Sequence, residues 1–246
     1  MSLNVVITMA GKGSRFLDAG FTQPKYEIAA RGRSLFDWAI ASLHNFLSCE
    51  VRLVFVCLAE NRSVDYVKAR CDALGLTGAN LVELEQLTDG QATSAYLSRQ
   101  LWKRDAPLLI YNIDTYVDPA FLRPQDIRPG SDGWIPCVKV PGNHWSFVKP
   151  DETDWVVEVA EKNRISDYAS IGLYWFAHAW EYVGAYEEFF SDPANLVRGE
   201  RYIAPLYMHL VRAGRRVSYS SLPPESLHAL GTPEELQIFV ARQTTD

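Results

Sequence analysis

The sequence predicts an α/β fold, a Rossmann-like three-layer sandwich around a mixed, mainly parallel central sheet. Three observations carry that expectation. In the first half, apolar runs rich in β-branched residues, such as VRLVFVCL at 51–58, alternate with stretches of helical period, the pattern of parallel βαβ units with right-handed crossovers. The first such run, VVITM at 5–9, breaks directly into glycines, which puts bare backbone N–H groups at the carboxyl edge of a sheet. From about Ser131 the pattern changes to strands separated by turn-rich loops, as in antiparallel pairs.

Each element has its own signal. After the first strand, residues 26–30 read as a short strand and Arg31-Gly32-Arg33 as a tight turn. Ser34 is placed to cap a helix whose Phe36, Ile40, Leu43 and Leu47 form one apolar stripe. Residues 51–58 are a second buried strand, 62–74 a helix, 79–84 a third strand and 92–102 a helix. Residues 107–111 form a central strand that ends at Asn112-Ile113-Asp114. Strands at 133–140, 146–150, 155–161 and 171–176 follow, then helices at 179–190 and 203–213 and a last strand at 217–220. Thr232 and Pro233 open a terminal helix reaching about Arg242, with Thr232 as its cap. No repeat, low-complexity tract or linker interrupts this order. One domain over 1–246 is expected, with no room for an added hexapeptide β-helix domain.

Composition narrows the functional class. With 48% hydrophobic and 12% aromatic residues among 246, the chain can bury a sizeable core, which argues against intrinsic disorder. A net charge of −6 without a basic block argues against nucleic acid as a partner; phosphate can still be held by a local field. No apolar run approaches the roughly 18–20 residues of a membrane span, and the N-terminus lacks the charged and apolar regions of a secretory signal. Cys49, Cys57, Cys71 and Cys137 form no C-x-x-C and read as free thiols. His44, His144, His178, His209 and His228 show no metal-ligand spacing. A cytoplasmic setting is expected. Trp175, Trp180, Tyr182 and Tyr186 offer either a homo-oligomer contact or core.

The chemistry concentrates in Met9-Ala10-Gly11-Lys12-Gly13-Ser14-Arg15-Phe16 and the Pro24-Lys25 that follows. Gly11 and Gly13 permit positive φ and let a phosphate approach without a Cβ in the way. Arg15 and Lys25 add a fixed guanidinium fork and a mobile ammonium. Neither G-x-x-x-x-G-K-[ST] nor G-x-G-x-x-G fits, so the P-loop and the dinucleotide fingerprint are excluded. The stretch resembles the signature (L/M)-A-G-x-G-(S/T)-R-(F/L) followed by P-K of the sugar-phosphate nucleotidyltransferases, the NDP-sugar pyrophosphorylase family with the nucleotide-diphospho-sugar transferase fold. Ala10, Gly11, Lys12, Gly13 and Ser14 are thereby implied in nucleotide binding, and Arg15 and Lys25 in catalysis.

Further motifs follow in the family's order. Asp114 ends the central strand where the family places the carboxylate that binds its catalytic Mg²⁺. In QLTDGQATSA at 86–95, Gln86 and Gly90 match the family's base readers, with Gln91 a competitor for the side-chain role. Glu161 and Lys162 match an E-K pair that binds the acceptor's hydroxyls and phosphate, and Gly172 lies in the strand of G-(I/L)-Y type after it. Trp145 and Ser146 stand where many relatives carry a Tyr-Gly pair against the sugar. Gly231-Thr232-Pro233-Glu234-Glu235-Leu236 is close to D-x-G-T-P-E-(D/E). Residues 200–207 resemble a segment of capsule-associated members.

Three departures stand out. Ser146 replaces a Gly and Asn163 a Pro, which suggests an altered acceptor pocket. Ala229 stands where the family usually carries a second metal-binding Asp, so Asp114 acts with phosphate oxygens and water, or Glu225, His228 or Glu200 compensates, or catalysis is impaired. The resemblance implies Mg-dependent transfer from CTP, dTTP or UTP to a sugar 1-phosphate or similar phospho-acceptor, for surface polysaccharide. The alternatives are a cytidylyltransferase acting on a non-sugar phosphate, a GT-A glycosyltransferase, for which Asp114-Thr115-Tyr116 lacks the second Asp of D-x-D, and a non-catalytic nucleotide-binding relative.

Overall fold

Four strands with apolar residues on both faces pair in parallel and set the frame: β1 (Leu3–Met9), β4 (Val51–Leu58), β5 (Asn80–Leu84) and β6 (Leu108–Asn112). The computed structural model describes residues 2–242. Between these strands lie α1 (Ser14–Asp18), the two-residue hairpin strands β2 (Ala29–Ala30) and β3 (Arg33–Ser34), α2 (Leu35–Ser42), α3 (Val64–Ala73) and α4 (Gln91–Tyr96). After β6 come β7 (Thr115–Val117), β8 (Gly133–Lys139), β9 (Ser146–Pro150), β10 (Val156–Glu161), β11 (Tyr168–Ser170) and β12 (Leu173–Phe176). The chain closes with α5 (Ala179–Phe189), α6 (Leu206–Arg212), β13 (Val217–Leu222), β14 (Leu227–Ala229) and α7 (Pro233–Ala241).

The main sheet runs β10-β9-β11-β8-β12-β6-β1-β4-β5, with β13 joined to β8. Direction reverses where β12 meets β6 antiparallel, so the parallel core carries an antiparallel flank. Alternate residues of β1 feed two layers. Val6 packs with Val54, Ile110, Tyr182 and Tyr207 on the α4–α5–α6 side. Val5 and Ile7 pack with Phe36, Leu43 and Val67 on the α2–α3 side. A third cluster joins Phe16 to Leu230, Leu236 and Phe239, which seats the turn after β1 on α7. The sandwich therefore leaves a crevice at the carboxyl ends of β1 and β6, where open α/β sheets bind ligands.

The caps are those the sequence indicates. Ser34 accepts from Asp37 N and Asp37 returns a bond to Ser34 N, both at 3.1 Å, and Thr232 Oγ1 accepts from Glu235 N at 3.2 Å.

Some local expectations shift. Residues 26–30 are strand only at Ala29–Ala30, because Pro24 starts a 3₁₀ turn over Lys25–Glu27 that buries Tyr26. The helix expected over 92–102 stops at Tyr96 and continues as a 3₁₀ turn over Arg99–Leu101. There Ser98 Oγ donates to Ala95 O at 2.8 Å and accepts from Trp102 Nε1 at 3.1 Å, a side chain competing for the helical backbone. β13 runs parallel to β8, and β11, β7 and β14 are additional strands. Tyr182 and Tyr186 are core, whereas Trp180 is at the surface. Among the described residues no helix is long and apolar enough to cross a membrane.

Candidate active site

The turn after β1 opens to solvent. Ala10 is buried, while Gly11, Lys12, Ser14 and Arg15 are exposed. Gly13 sits at φ 63° as the residue capping α1, a left-handed conformation that favours glycine. Gly11 is not left-handed, contrary to the expectation for both glycines. Its role is room: nothing lies within 4 Å of where its Cβ would stand.

Lys25 and Asp114 come from different elements and meet across this opening. Lys25 follows Pro24, Asp114 follows β6, and Lys25 Nζ donates to Asp114 Oδ2 at 2.7 Å. Burial pushes the Asp114 carboxyl up, but the Lys25 ammonium, its hydrogen bond and the Arg15 guanidinium together hold it below the ordinary value. Asp114 is therefore a carboxylate at neutral pH. Its carbonyl accepts from Leu230 N at 2.9 Å, and Thr115 pairs with Ala229 in the β7–β14 ribbon, so the chain around Ala229 is packed against the Asp114 turn.

None of the three residues considered as substitutes for Asp at 229 lies against Asp114. Glu225 is exposed and Glu200 lies near Glu161. His228 stacks on Tyr116 at 5.5 Å, and burial, with Arg242 and Arg31, pulls it down to about 4, a neutral imidazole. The neighbouring carboxylate is Glu235, which entered the sequence analysis only as part of the Gly231–Leu236 motif. A Cβ on Gly231 would stand 3.3 Å from Asp114 Oδ2 and 3.5 Å from Glu235 Oε2, and Glu235 is steered there by the Gly231 N–H at 2.9 Å. Only the missing side chain at 231 keeps the space between the two carboxylates open. Among the described residues no three acidic, His or Cys side chains converge as a metal site. A divalent ion here would draw on phosphate oxygens and water, as Mg²⁺ commonly does.

The loop expected to read the base precedes α4. Gln86 is exposed on it. Gln91 is not free: its Nε2 donates to Thr8 Oγ1 at 2.9 Å and to Asn112 Oδ1, bracing the carboxyl ends of β1 and β6. Gly90, at φ 143°, has a packing reason of its own, since a Cβ there would stand 2.3 Å from the Arg201 carbonyl oxygen.

On the antiparallel side, Glu161 ends β10 and Ser146 starts β9 opposite it. Ser146 Oγ donates to Glu161 Oε2 and lies 3.3 Å from Tyr174 OH. Burial raises the Glu161 carboxyl; Ser146 and Lys162 pull it down, Glu200 adds to the rise, and the net position is above the ordinary value. Lys162 is left-handed at φ 54°, its N–H bonded to Trp145 O at 2.9 Å and its Nζ to Tyr202 OH. Gly172, at φ 80°, lets Asn112 pass where a Cβ would lie 2.2 Å from Nδ2, which joins the antiparallel side to the end of β6. A cavity of 980 Å³ is lined by Ala229, Trp145, Tyr116, His228 and Glu235 but by none of Gly11, Lys25, Asp114 or Glu161.

Over 97% of its length the chain is similar to all of the crystal structure of the nucleoside-diphosphate-sugar pyrophosphorylase from Vibrio cholerae RC9, with 32% identity and a TM-score of 0.88. The inositol-1-phosphate CTP transferase from T. maritima shares the fold at TM-score 0.74 and 16% identity, over 96% of this chain and 93% of that one. So does a protein assigned as a glucose-1-phosphate thymidylyltransferase from Bacillus anthracis in complex with a sucrose, at TM-score 0.74 and 15% identity, over 97% and 94%. No protein-family model matches the chain, and no match was found among curated proteins.

Proposed function

The chain belongs to the sugar-phosphate nucleotidyltransferase family and is a nucleotidyltransferase, and we propose that it transfers a nucleotidyl group from CTP, dTTP or UTP to a sugar 1-phosphate or similar small phospho-acceptor in the making of surface polysaccharide precursors. The carrying observation is the Lys25–Asp114 pair, 2.7 Å apart at the exit of β6 beside the exposed Gly11–Arg15 turn.

An acceptor phosphate oxygen attacks the α-phosphorus in line; the bond from that phosphorus to the oxygen bridging to the β-phosphate breaks, and pyrophosphate leaves with the electron pair. Such transfers need positioning and charge neutralisation rather than covalent help from the protein. The backbone of Gly11–Gly13 cradles the triphosphate and Arg15 steadies the leaving pyrophosphate. Lys25 gives Asp114 only one of its three donors and offsets charge growing at the α-phosphate. Gln86 and Gly90 face the base. Glu161 accepts from an acceptor hydroxyl and Lys162 pairs with its phosphate.

Asp114 would hold Mg²⁺, with Glu235 across Gly231 as the nearest second carboxylate. The fit rests on an ionised Asp114 and on the space that a Cβ at 231 would fill. The ion supplies neutralisation of the triphosphate's charge. The four free cysteines suit a cytoplasmic setting. A second reading, cytidylyl transfer to a non-sugar phosphate, is favoured by the Ser146 hydroxyl, which occupies one of the Glu161 oxygens proposed to meet a sugar hydroxyl.

The test is pyrophosphate release with Mg²⁺, comparing CTP, dTTP, UTP, ATP and GTP against phosphorylated sugars and small phospho-metabolites. Release with one base, dependent on an acceptor and lost in Lys25→Ala and Asp114→Ala, is expected. Nucleotide binding without release under any pairing would sink the reading.

A further inference from the structure

Residues 197–203 have no role in the reaction as drawn above, yet they touch both halves of the site. Val197 and Glu200 exchange backbone hydrogen bonds of 3.0 Å across Arg198 (φ 53°) and Gly199 (φ 80°). Ile203 and Ala204 beyond them are buried, so the segment is anchored at both ends. Between the turn and the anchor, two successive residues face opposite ways.

Arg201 grips the base-reading loop. Its N–H donates to Asp89 O at 2.7 Å and its carbonyl accepts from Ala92 N at 3.0 Å. Its guanidinium lies 3.2 Å from Asp89 Oδ2 and 3.0 Å from Tyr186 OH. These bonds bracket Gly90, where any side chain would strike the Arg201 backbone.

Tyr202 grips the acceptor half. Its hydroxyl accepts from Lys162 Nζ, and that ammonium stands 4.3 Å from the ring centre. The Lys162 backbone is fixed by its left-handed φ and its bond to Trp145 O, but its flexible four-carbon stem would otherwise leave the ammonium free to sweep the pocket.

We propose that Tyr202 is a positioning residue, which holds the Lys162 ammonium in place for the acceptor's phosphate while the Arg201 grip fixes Tyr202 relative to the nucleotide loop. The inference rests on Lys162 being the acceptor's phosphate partner. An ammonium has three donors, and the Tyr202 hydroxyl uses one, so an arriving phosphate finds an oriented cation with donors to spare.

The test uses the full chain labelled with ε-¹³C lysine and needs no turnover. The Lys162 ε-methylene, assigned by its loss in Lys162→Arg, is expected to be displaced from the other lysines through the ring current of Tyr202. The shift persists in Tyr202→Phe and disappears in Tyr202→Leu. The same resonance is then followed during titration with inorganic phosphate and with glucose 1-phosphate. Affinity for these probes is expected to fall roughly tenfold in Tyr202→Leu and about threefold in Tyr202→Phe. Affinity for CTP, dTTP or UTP, read by calorimetry, is expected to stay within about twofold in both, whereas Arg201→Ala lowers affinity for nucleotide and probe alike. In a Lys162→Ala background Tyr202→Leu is expected to add nothing, because contacting residues couple. An ordinary Lys162 resonance in the unmodified protein overturns the proposal. So do equal probe affinities with and without Tyr202, or an undiminished loss in the Lys162→Ala background. If these signals are seen and pyrophosphate release fails for every pairing, the positioning role stands and the proposed reaction falls.

Discussion

In the parallel half, the candidate residues sit on turns that directly follow strands: Gly11–Arg15 after β1 and Asp114 after β6. In the antiparallel half, Ser146, Glu161 and Tyr174 come from different strands and meet through side chains. The two halves also hold their carboxylates oppositely. Asp114, beside Lys25 and Arg15, lies below its ordinary pKa, and Glu161, buried with Glu200 nearby, lies above it. The difference separates two jobs. Under the proposed function, a triphosphate would be met by backbone and cations that local sequence can specify, whereas the acceptor pocket would be defined by long-range packing that can vary while the first half stays put.

The sharpest way to break this comparison is at the ion pair. Lys25→Ala and Asp114→Ala are each expected to lower kcat by about 10²–10³-fold, the usual cost of losing a group aimed at developing charge. If Lys25→Ala left kcat intact, the parallel half would not be the chemical half. Gly90→Ala comes next, as a stability effect: with φ 143° and backbone 2.3 Å from the new Cβ, it is expected to cost about 2–4 kcal/mol by chemical denaturation, in the range of strained positions and overpacked cores.

Gly11→Ala sharpens the contrast between room and conformation. Nothing lies within 4 Å of its Cβ position, so stability should change by less than about 0.5 kcal/mol. Nucleotide affinity should still fall roughly tenfold if phosphate approaches that backbone closely. Gly13→Ala, at φ 63°, should cost about 1 kcal/mol of stability as well. Calorimetric titration beside thermal melts distinguishes the two; equal binding in Gly11→Ala would contradict the cradle.

The smallest expected effect is in pH dependence. Carboxyl ¹³C titration should place Asp114 below the ordinary aspartate range and Glu161 above the ordinary glutamate range. Ser146→Ala should push Glu161 further up, because it removes the hydrogen bond that favours the charged form, and should leave Asp114 unmoved. The linked stabilities have opposite signs. Asp114's depressed value contributes stability above the unfolded aspartate pKa that is lost as pH falls through its folded value. Glu161's raised value contributes stability at low pH that is lost as pH rises through its folded value. A Glu161 resonance in the ordinary range would remove the contrast.

This split also explains what was legible beforehand. The strands of the parallel half are mainly apolar runs, and the caps at Ser34 and Thr232 depend on neighbours three residues away, so both were readable from short windows. The loop from Ala10 to Arg15 was contiguous. β7 and β14, three residues each, are too short to show a period. The approach of Glu235 to Asp114 across Gly231, the grip of Arg201 on Gly90 and the hold of Tyr202 on Lys162 join distant parts of the chain. They follow from how the layers pack, which no local pattern encodes. Gln91 shows the limit on one residue: a side chain beside the base loop turns inward because Thr8 and Asn112 offer it partners there.

The central claim is that the α-phosphorus is attacked and pyrophosphate leaves. It is tested most directly by following nucleoside triphosphate labelled at either the α- or the γ-phosphorus with ³²P, in the presence of an accepted phospho-compound. The account predicts α-label in the acceptor product and γ-label in pyrophosphate, with both signals lost in Lys25→Ala. Transfer of γ-label to the acceptor, or release of nucleoside diphosphate with no pyrophosphate, would contradict it.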